Sequence, residues 1–221
     1  GLLYRPWVPD VSSPLRSPVD ELSLADFFAN YGYSRDGSTR DTQAVIPLLG
    51  DFVAWLELNS GDVRAVYLDV KMGAGQTALA ELIMTEVESA RVAHGGLPEV
   101  RIYFISPHQD IVEALIARRD QLGASDFRPA WDFETSGALA GTEMLGLRDI
   151  STGLTPLRIE TEFLAEVEDL VRAREDKRVD SVVVWTIDMR MQLGQLIFRN
   201  VDGIMTNRPE LLYELWQITL E

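Results

Sequence analysis

SVVVWTIDMRMQLGQLIFRNVDGIMTNRPELLYELWQI, residues 181–218, switches repeatedly between two hydrophobic periods, and that succession decides the fold. SVVVWTID, 181–188, is a β-branched run of strand length. MRMQLGQLIFR then reads as a helix and VDGIMT, 201–206, as a second strand. Pro209 opens a last helix in its first turn, where a missing N–H costs nothing. A strand, a crossing helix and a further strand imply parallel strands joined by a right-handed crossover.

The same alternation extends toward the N-terminus. RIETEFLAEVEDLVRARE, 158–175, is an amphipathic helix, and LRDIS (147–151) and FRPAWDF (127–133) are strands, the latter weakened by Pro129. DIVEALIARRDQL, 110–122, is a helix stopped by Gly123, preceded by the strand VRIYFIS, 100–106. TALAELIMTEVESARVAH, 77–94, is a helix closed by Gly95 and Gly96, and RAVYLDVK, 64–71, is a buried-type strand bounded by Gly61 and Gly73. Before it, Leu48, Leu49, Phe52, Val53 and Leu56 recur at helical spacing. Ser23 and Asp26 make a capping box for a short helix, Leu24 to Tyr31. Residues 1–20 and 31–43 read as loop. Six strand-and-helix units result. The class is α/β, either a (β/α)8 TIM-type barrel with about six of its eight strands or a doubly wound open sheet, which periodicity does not separate.

With 221 residues, 46% of them apolar, the chain can bury one sizeable core, although a closed barrel usually takes about 250 residues. Asp and Glu number 35 against 20 Lys and Arg, for a net charge of −15, and no basic stripe lies along any helix, so no nucleic-acid partner is expected. The absence of cysteine excludes disulfides, thiolate metal sites and cysteine nucleophiles. The opening residues lack a charged start with an apolar core, and no window approaches 18 apolar residues, so no transmembrane segment is expected.

The end of the chain resembles the C-terminal signature of the glycerophosphodiester phosphodiesterases, within the phospholipase C-like phosphodiesterases. That family has a Trp-Thr strand followed by Gly-Val-Asp-Gly-Ile-x-Thr-(Asp/Asn)-x-Pro. The residues that carry the likeness are Trp185, Thr186, Val201, Asp202, Gly203, Ile204, Thr206, Asn207 and Pro209. Asn200 stands where the family prefers glycine, and Asp188 where it often has asparagine. YLDVK, 67–71, stands where the family reads apolar-Glu-apolar-Lys. The resemblance implies that Asp69 binds a divalent metal, Mg²⁺ or Ca²⁺, and that Lys71 contacts the phosphate. Two positions apart on a strand, both side chains point to one face. A cation would also supply the positive charge that this acidic chain lacks for an anionic phosphodiester.

The resemblance further implies that Trp185 lines the substrate pocket. Ser106 matches a family strand that ends Ser-Phe and is expected to bind substrate, and His108 replaces the aromatic, at a strand end where a catalytic histidine can act as acid or base. His94, at a helix end, complements the helix dipole. Asp132 and Glu134 alternate about Phe133, a common pattern at strand ends, and are assigned no chemistry. MGAGQT, 72–77, lacks the residues of a P-loop or dinucleotide fingerprint and reads as a turn.

The family opens with His-Arg-Gly, then Glu-x-Asp, then a His-Asp pair, and none of these occurs in the sequence. In family order the six strands are the third to the eighth, so those motifs are expected upstream of Gly1. The expected domain is thus one barrel over 1–221, truncated at its N-terminus. Its expected function is metal-dependent hydrolysis of a phosphodiester, a small-molecule glycerophosphodiester or related lipid headgroup. The alternatives are a noncatalytic binding barrel, or a phospholipase or sphingomyelinase relative.

Overall fold

The computed structural model describes residues 5–7, 22–34, 40–41, 44–59, 61, 63–95, 100–156 and 158–219. The chain divides into two compact units, Gly1–Trp55 and Leu56–Glu221. In the first, β1 (Arg5–Trp7), β2 (Gly32–Ser34) and β3 (Arg40–Asp41) form an antiparallel sheet, with helix α1 (Leu24–Asn30) between β1 and β2. These strands fall inside stretches that read as loop, because two or three residues are too few to show a period of two. Residues 1–4, 8–20, 35–39 and 42–43 of those stretches, and Gly96, lie outside the described residues. Ser23 caps α1 as the serine half of the expected capping box: its Oγ accepts from the Asp26 amide at 3.1 Å, and it donates to the Asp26 carboxylate at 2.6 Å through its hydroxyl.

After α2 (Leu49–Leu58) comes a single parallel sheet. Its strands are β4 (Ala65–Asp69), β5 (Arg101–Ser106), β6 (Phe127–Phe133), β7 (Asp149–Gly153), β8 (Ser181–Trp185) and β9 (Gly203–Ile204), paired in chain order. The intervening helices are α3 (Thr77–Ala93), α4 (Gln109–Leu122), α5 (Ala138–Met144), α6 (Glu160–Glu175) and α7 (Arg190–Phe198), and α8 (Pro209–Thr219) follows β9. Helix α5 is absent from the sequence reading, since its seven residues include Gly141 and make only two turns. Pro129 is tolerated because β6 joins β7 only at Asp132 and Phe133, so its missing amide removes no ladder bond on that side.

Alternation sorts the side chains of the sheet onto two faces. Toward the helices lie Phe104, Phe127, Ile150, Val182 and Val184, all nearly inaccessible; Val184 packs with Phe163, Val167 and Leu193, and Ile150 and Val182 with Leu170. Each such large side chain contributes roughly 1.5–3 kcal/mol on burial. On the other face Ala65, Tyr67, Tyr103, Ile105 and Ala130 cluster with Met205, which follows β9. A Cβ on Gly203 of β9 would lie 3.8 Å from the Tyr67 hydroxyl of β4. The first and last strands therefore curl toward each other around an interior filled by small residues and the stacked rings of Tyr67 and Tyr103, 4.4 Å apart. This is an incomplete TIM-type barrel of six strands, not a flat doubly wound sheet. Asn200, in the turn before β9, has φ +58°, a left-handed conformation open to asparagine as well as to glycine.

Candidate active site at the C-terminal ends of the strands

Asp69 is the last residue of β4 and shares the inward face with Ala65 and Tyr67. The Val70 amide donates to the Ile105 carbonyl at 2.8 Å, so the chain keeps its strand course for one residue more. That course brings Lys71 Nζ to 3.0 Å from Asp69 Oδ2. With 66% of the lysine and 46% of the aspartate side chain exposed, the pair contributes little to stability. Its charges face the open end of the half-barrel.

A second carboxylate, two strands along the sheet, feels the charges of both. Asp132, on the inner face of β6, is 5% exposed. Burial pushes its carboxyl above the ordinary range, while the Ser151 hydrogen bond and the positive charge of Lys71 oppose the rise and the charge of Asp69 adds to it. Ser151 Oγ donates to Asp132 Oδ1 at 2.5 Å and accepts from Trp185 Nε1 at 3.0 Å. The Asp69–Lys71 pair and the hydrogen-bonded series Asp132, Ser151 and Trp185 thus lie within electrostatic reach at the barrel end where active sites of such folds gather. Sequence reasoning passed over Asp132 and Ser151; the signal available for both was inward parity on neighbouring strands.

Trp185 is seated by the absence of a side chain. Gly153 is its register partner across β7 and β8, and a Cβ there would lie 2.4 Å from Trp185 Cζ3 and 2.5 Å from Cη2. The indole therefore lies against bare backbone, with its N–H donating to Ser151. Gly153→Ala is expected to cost about 1–3 kcal/mol of stability, because β7 is buried and neither strand can retreat. Urea unfolding measures it, and a midpoint equal to wild type would show that the ring is not held against Gly153.

The loops after β8 and β9 are tied by Asp188. Its Oδ1 accepts from Thr206 Oγ1 at 2.9 Å and the Asn207 amide at 2.7 Å, and its Oδ2 accepts from Asn207 Nδ2 at 2.9 Å. Bonds from the Asn207 side chain and amide hold its carboxyl below the ordinary range. The signature residues Thr206 and Asn207 thus shape the mouth. Asp202 serves the opposite end of the barrel, where its Oδ2 accepts from Arg174 at 2.8 Å and the Val182 amide at 2.9 Å.

The other expected site residues are placed differently. Ser106 shares the helix-facing parity of Ile102 and Phe104, is fully buried, and accepts from the His108 amide at 3.4 Å. His108 is the N-cap residue of α4 and makes no side-chain capping bond. His94 caps the C-terminus of α3 and lies 3.3 Å from the Glu57 carboxylate. MGAGQT is a turn in which the Gly73 amide donates to Gln76 at 2.9 Å. Among the described residues no three His, Cys, Asp or Glu side chains converge so as to hold a metal ion. These residues do not by themselves build a divalent-cation site. No helix among the described residues is long and apolar enough to cross a membrane.

A family model described as Dermonecrotic toxin SPH matches residues 148–219, from β7 to α8. No curated protein sequence matches the chain. Among solved structures it is similar to a phosphodiesterase of Oleispira antarctica, solved with its product sn-glycerol-3-phosphate, at a TM-score of 0.66 and 13% identity over 91% of this chain and 73% of that one. It is also similar to a protein of Silicibacter pomeroyi DSS-3 described as a glycerophosphoryl diester phosphodiesterase, with TM-score 0.63 and 16% identity over 83% of this chain. The chain spans 60% of that protein's length. The glycerophosphodiester phosphodiesterase of Agrobacterium tumefaciens str. C58 gives 0.62 and 14%, over 90% of this chain and 74% of that one. These structural neighbours are phosphoric diester hydrolases, and the chain has part of their fold.

Proposed function

We propose that this chain supplies the charge-stabilising and pocket-forming part of a phosphodiesterase that hydrolyses a glycerophosphodiester or a related lipid headgroup. The observation that supports it is the grouping of Lys71, Asp69, Asp132 and Trp185 at the open strand ends. In this reading a water oxygen attacks phosphorus and gives up a proton to solvent, the bond from phosphorus to the alcohol oxygen breaks, and a phosphomonoester and an alcohol leave. Lys71 faces the nonbridging oxygens, where negative charge accumulates. Asp132, whose burial favours its protonated form, gives a proton to the departing alcohol oxygen. Trp185 forms a wall of the pocket and Asp188 fixes the rim beside it.

Asp69 is a hard oxygen donor suited to Mg²⁺ or Ca²⁺ and would be one ligand of such an ion. One carboxylate does not complete the coordination of such an ion. The test uses glycerophosphocholine in Mg²⁺ or Ca²⁺, with sn-glycerol 3-phosphate, the product bound to the Oleispira antarctica enzyme, as the species assayed. Its release is the expected result. No phosphomonoester with either cation would defeat the reading.

A further inference from the structure

The mechanism leaves unused the most enclosed ion pair at the rim. Arg158 and Glu166 have side chains only 7% and 16% exposed, and they bond to each other through Nη2 and Oε2. Arg158 Nη1 also donates to Thr152 Oγ1 and to the Gly153 carbonyl, both at 2.9 Å. Its guanidinium lies 4.8 Å from the centre of the Phe163 ring of α6. Glu166, also on α6, turns its other oxygen to the amides of Gly137 and Ala138, at 2.9 and 3.1 Å, in the turn after β6. One pair thus joins the end of β7, the rim after β6 and the first half of α6.

The point it grips is the seat of Trp185. Gly153 gives its carbonyl to Arg158 and its bare Cα to the indole, and the next amide, Leu154, donates to the Trp185 carbonyl at 2.8 Å. We infer that Arg158 and Glu166 are positioning residues, a clamp that fixes the Gly153 backbone so that Trp185 holds one pose in the pocket. The consequence for substrate rests on the phosphodiesterase reading above; the clamp itself does not. A recess of about 540 Å³ lined by Thr135, Ser136, Glu162 and Asp169 opens beside the pair, so the pair does not seal the core. A buried ion pair is weak evidence of stabilisation in any case. What an arginine fork adds is direction, because it binds three acceptors at fixed angles, which lysine cannot reproduce.

The experiment compares Arg158→Gln and the milder Glu166→Gln in the whole protein. With glycerophosphocholine, KM is expected to rise about tenfold in Arg158→Gln while kcat changes less, as for a misplaced pocket wall. In a Trp185→Phe background the same change should add little, because the clamp then has no indole to hold. A merely structural role would lower activity equally in both backgrounds with KM unmoved, and that result would overturn the inference. A second readout needs no turnover: the indole N–H signal of Trp185, assigned with Trp185→Phe, should shift and exchange faster with water when the clamp is cut. If hydrolysis is absent, the function fails and the indole signal still decides the clamp. If Arg158→Gln does not fold, Glu166→Gln decides, and an unchanged indole signal in that variant sinks the idea.

Discussion

Lys71→Ala is expected to lower the turnover of glycerophosphocholine by on the order of 10²–10³-fold while leaving the urea midpoint where it was. The two halves of that result come from different dielectric settings. In the resting protein the ammonium is two-thirds exposed and meets one carboxylate at 3.0 Å, so its loss removes at most about 1 kcal/mol, as for other exposed pairs. In the transition state the same ammonium faces charge building on phosphate oxygens, with water displaced by substrate. Removing one preorganised partner there typically costs about 3–4 kcal/mol. Asp69 is left unpaired but remains in water. Both kcat at saturating substrate and the urea midpoint have to be measured. Wild-type kcat in the variant would exclude Lys71 from the chemistry, and a fall in midpoint with a small kcat effect would make it a structural residue.

Much of this architecture was legible because parallel barrels write their elements in order. VRIYFIS, FRPAWDF and SVVVWTID yield strands at Arg101–Ser106, Phe127–Phe133 and Ser181–Trp185, within a few residues of the expected bounds. Asp69 and Lys71 were legible as a pair because alternation at a strand end is a local rule, and the bond between them is the outcome of that rule. Other positions need information that lies between strands. LRDIS ended the expected strand at Ser151, whereas the strand runs Asp149–Gly153, so Ser151 lies inside it and faces Asp132. Gly153 passed unnoticed, since nothing local shows that a tryptophan thirty-odd residues later will rest on it. Ser106 sits at a strand end as expected, but one residue of parity turns it toward the helices. The clamp of Arg158 and Glu166 is invisible in the sequence for the same reason: the carbonyl that accepts from Arg158 lies on β7, and the amide that donates to Glu166 lies in the turn after β6.

Asp132→Asn separates chemistry from fold in the opposite direction. As proton donor to the departing oxygen, Asp132 is expected to contribute about 10²-fold to kcat, which an amide of the same shape cannot supply. Stability should not fall with it. The folded carboxyl titrates above its unfolded value, chiefly through burial, so the fold binds its proton more tightly than the unfolded chain does. That preference contributes stability fully below the unfolded pKa and loses it as pH rises through the folded pKa. Above the unfolded pKa, ionisation favours the unfolded chain, a cost that asparagine removes while its side-chain oxygen still accepts from Ser151. The expected outcome is a variant at least as stable as wild type at pH 7 and about two orders of magnitude slower. Its kcat should also lose the decline toward high pH that a protonated donor imposes on the wild type. Denaturant unfolding at pH 5 and 8, with kcat over the same interval, checks all three. A slow variant with the wild-type pH profile would leave Asp132 only the task of holding Ser151 and Trp185, and a wild-type rate would remove it from the reaction.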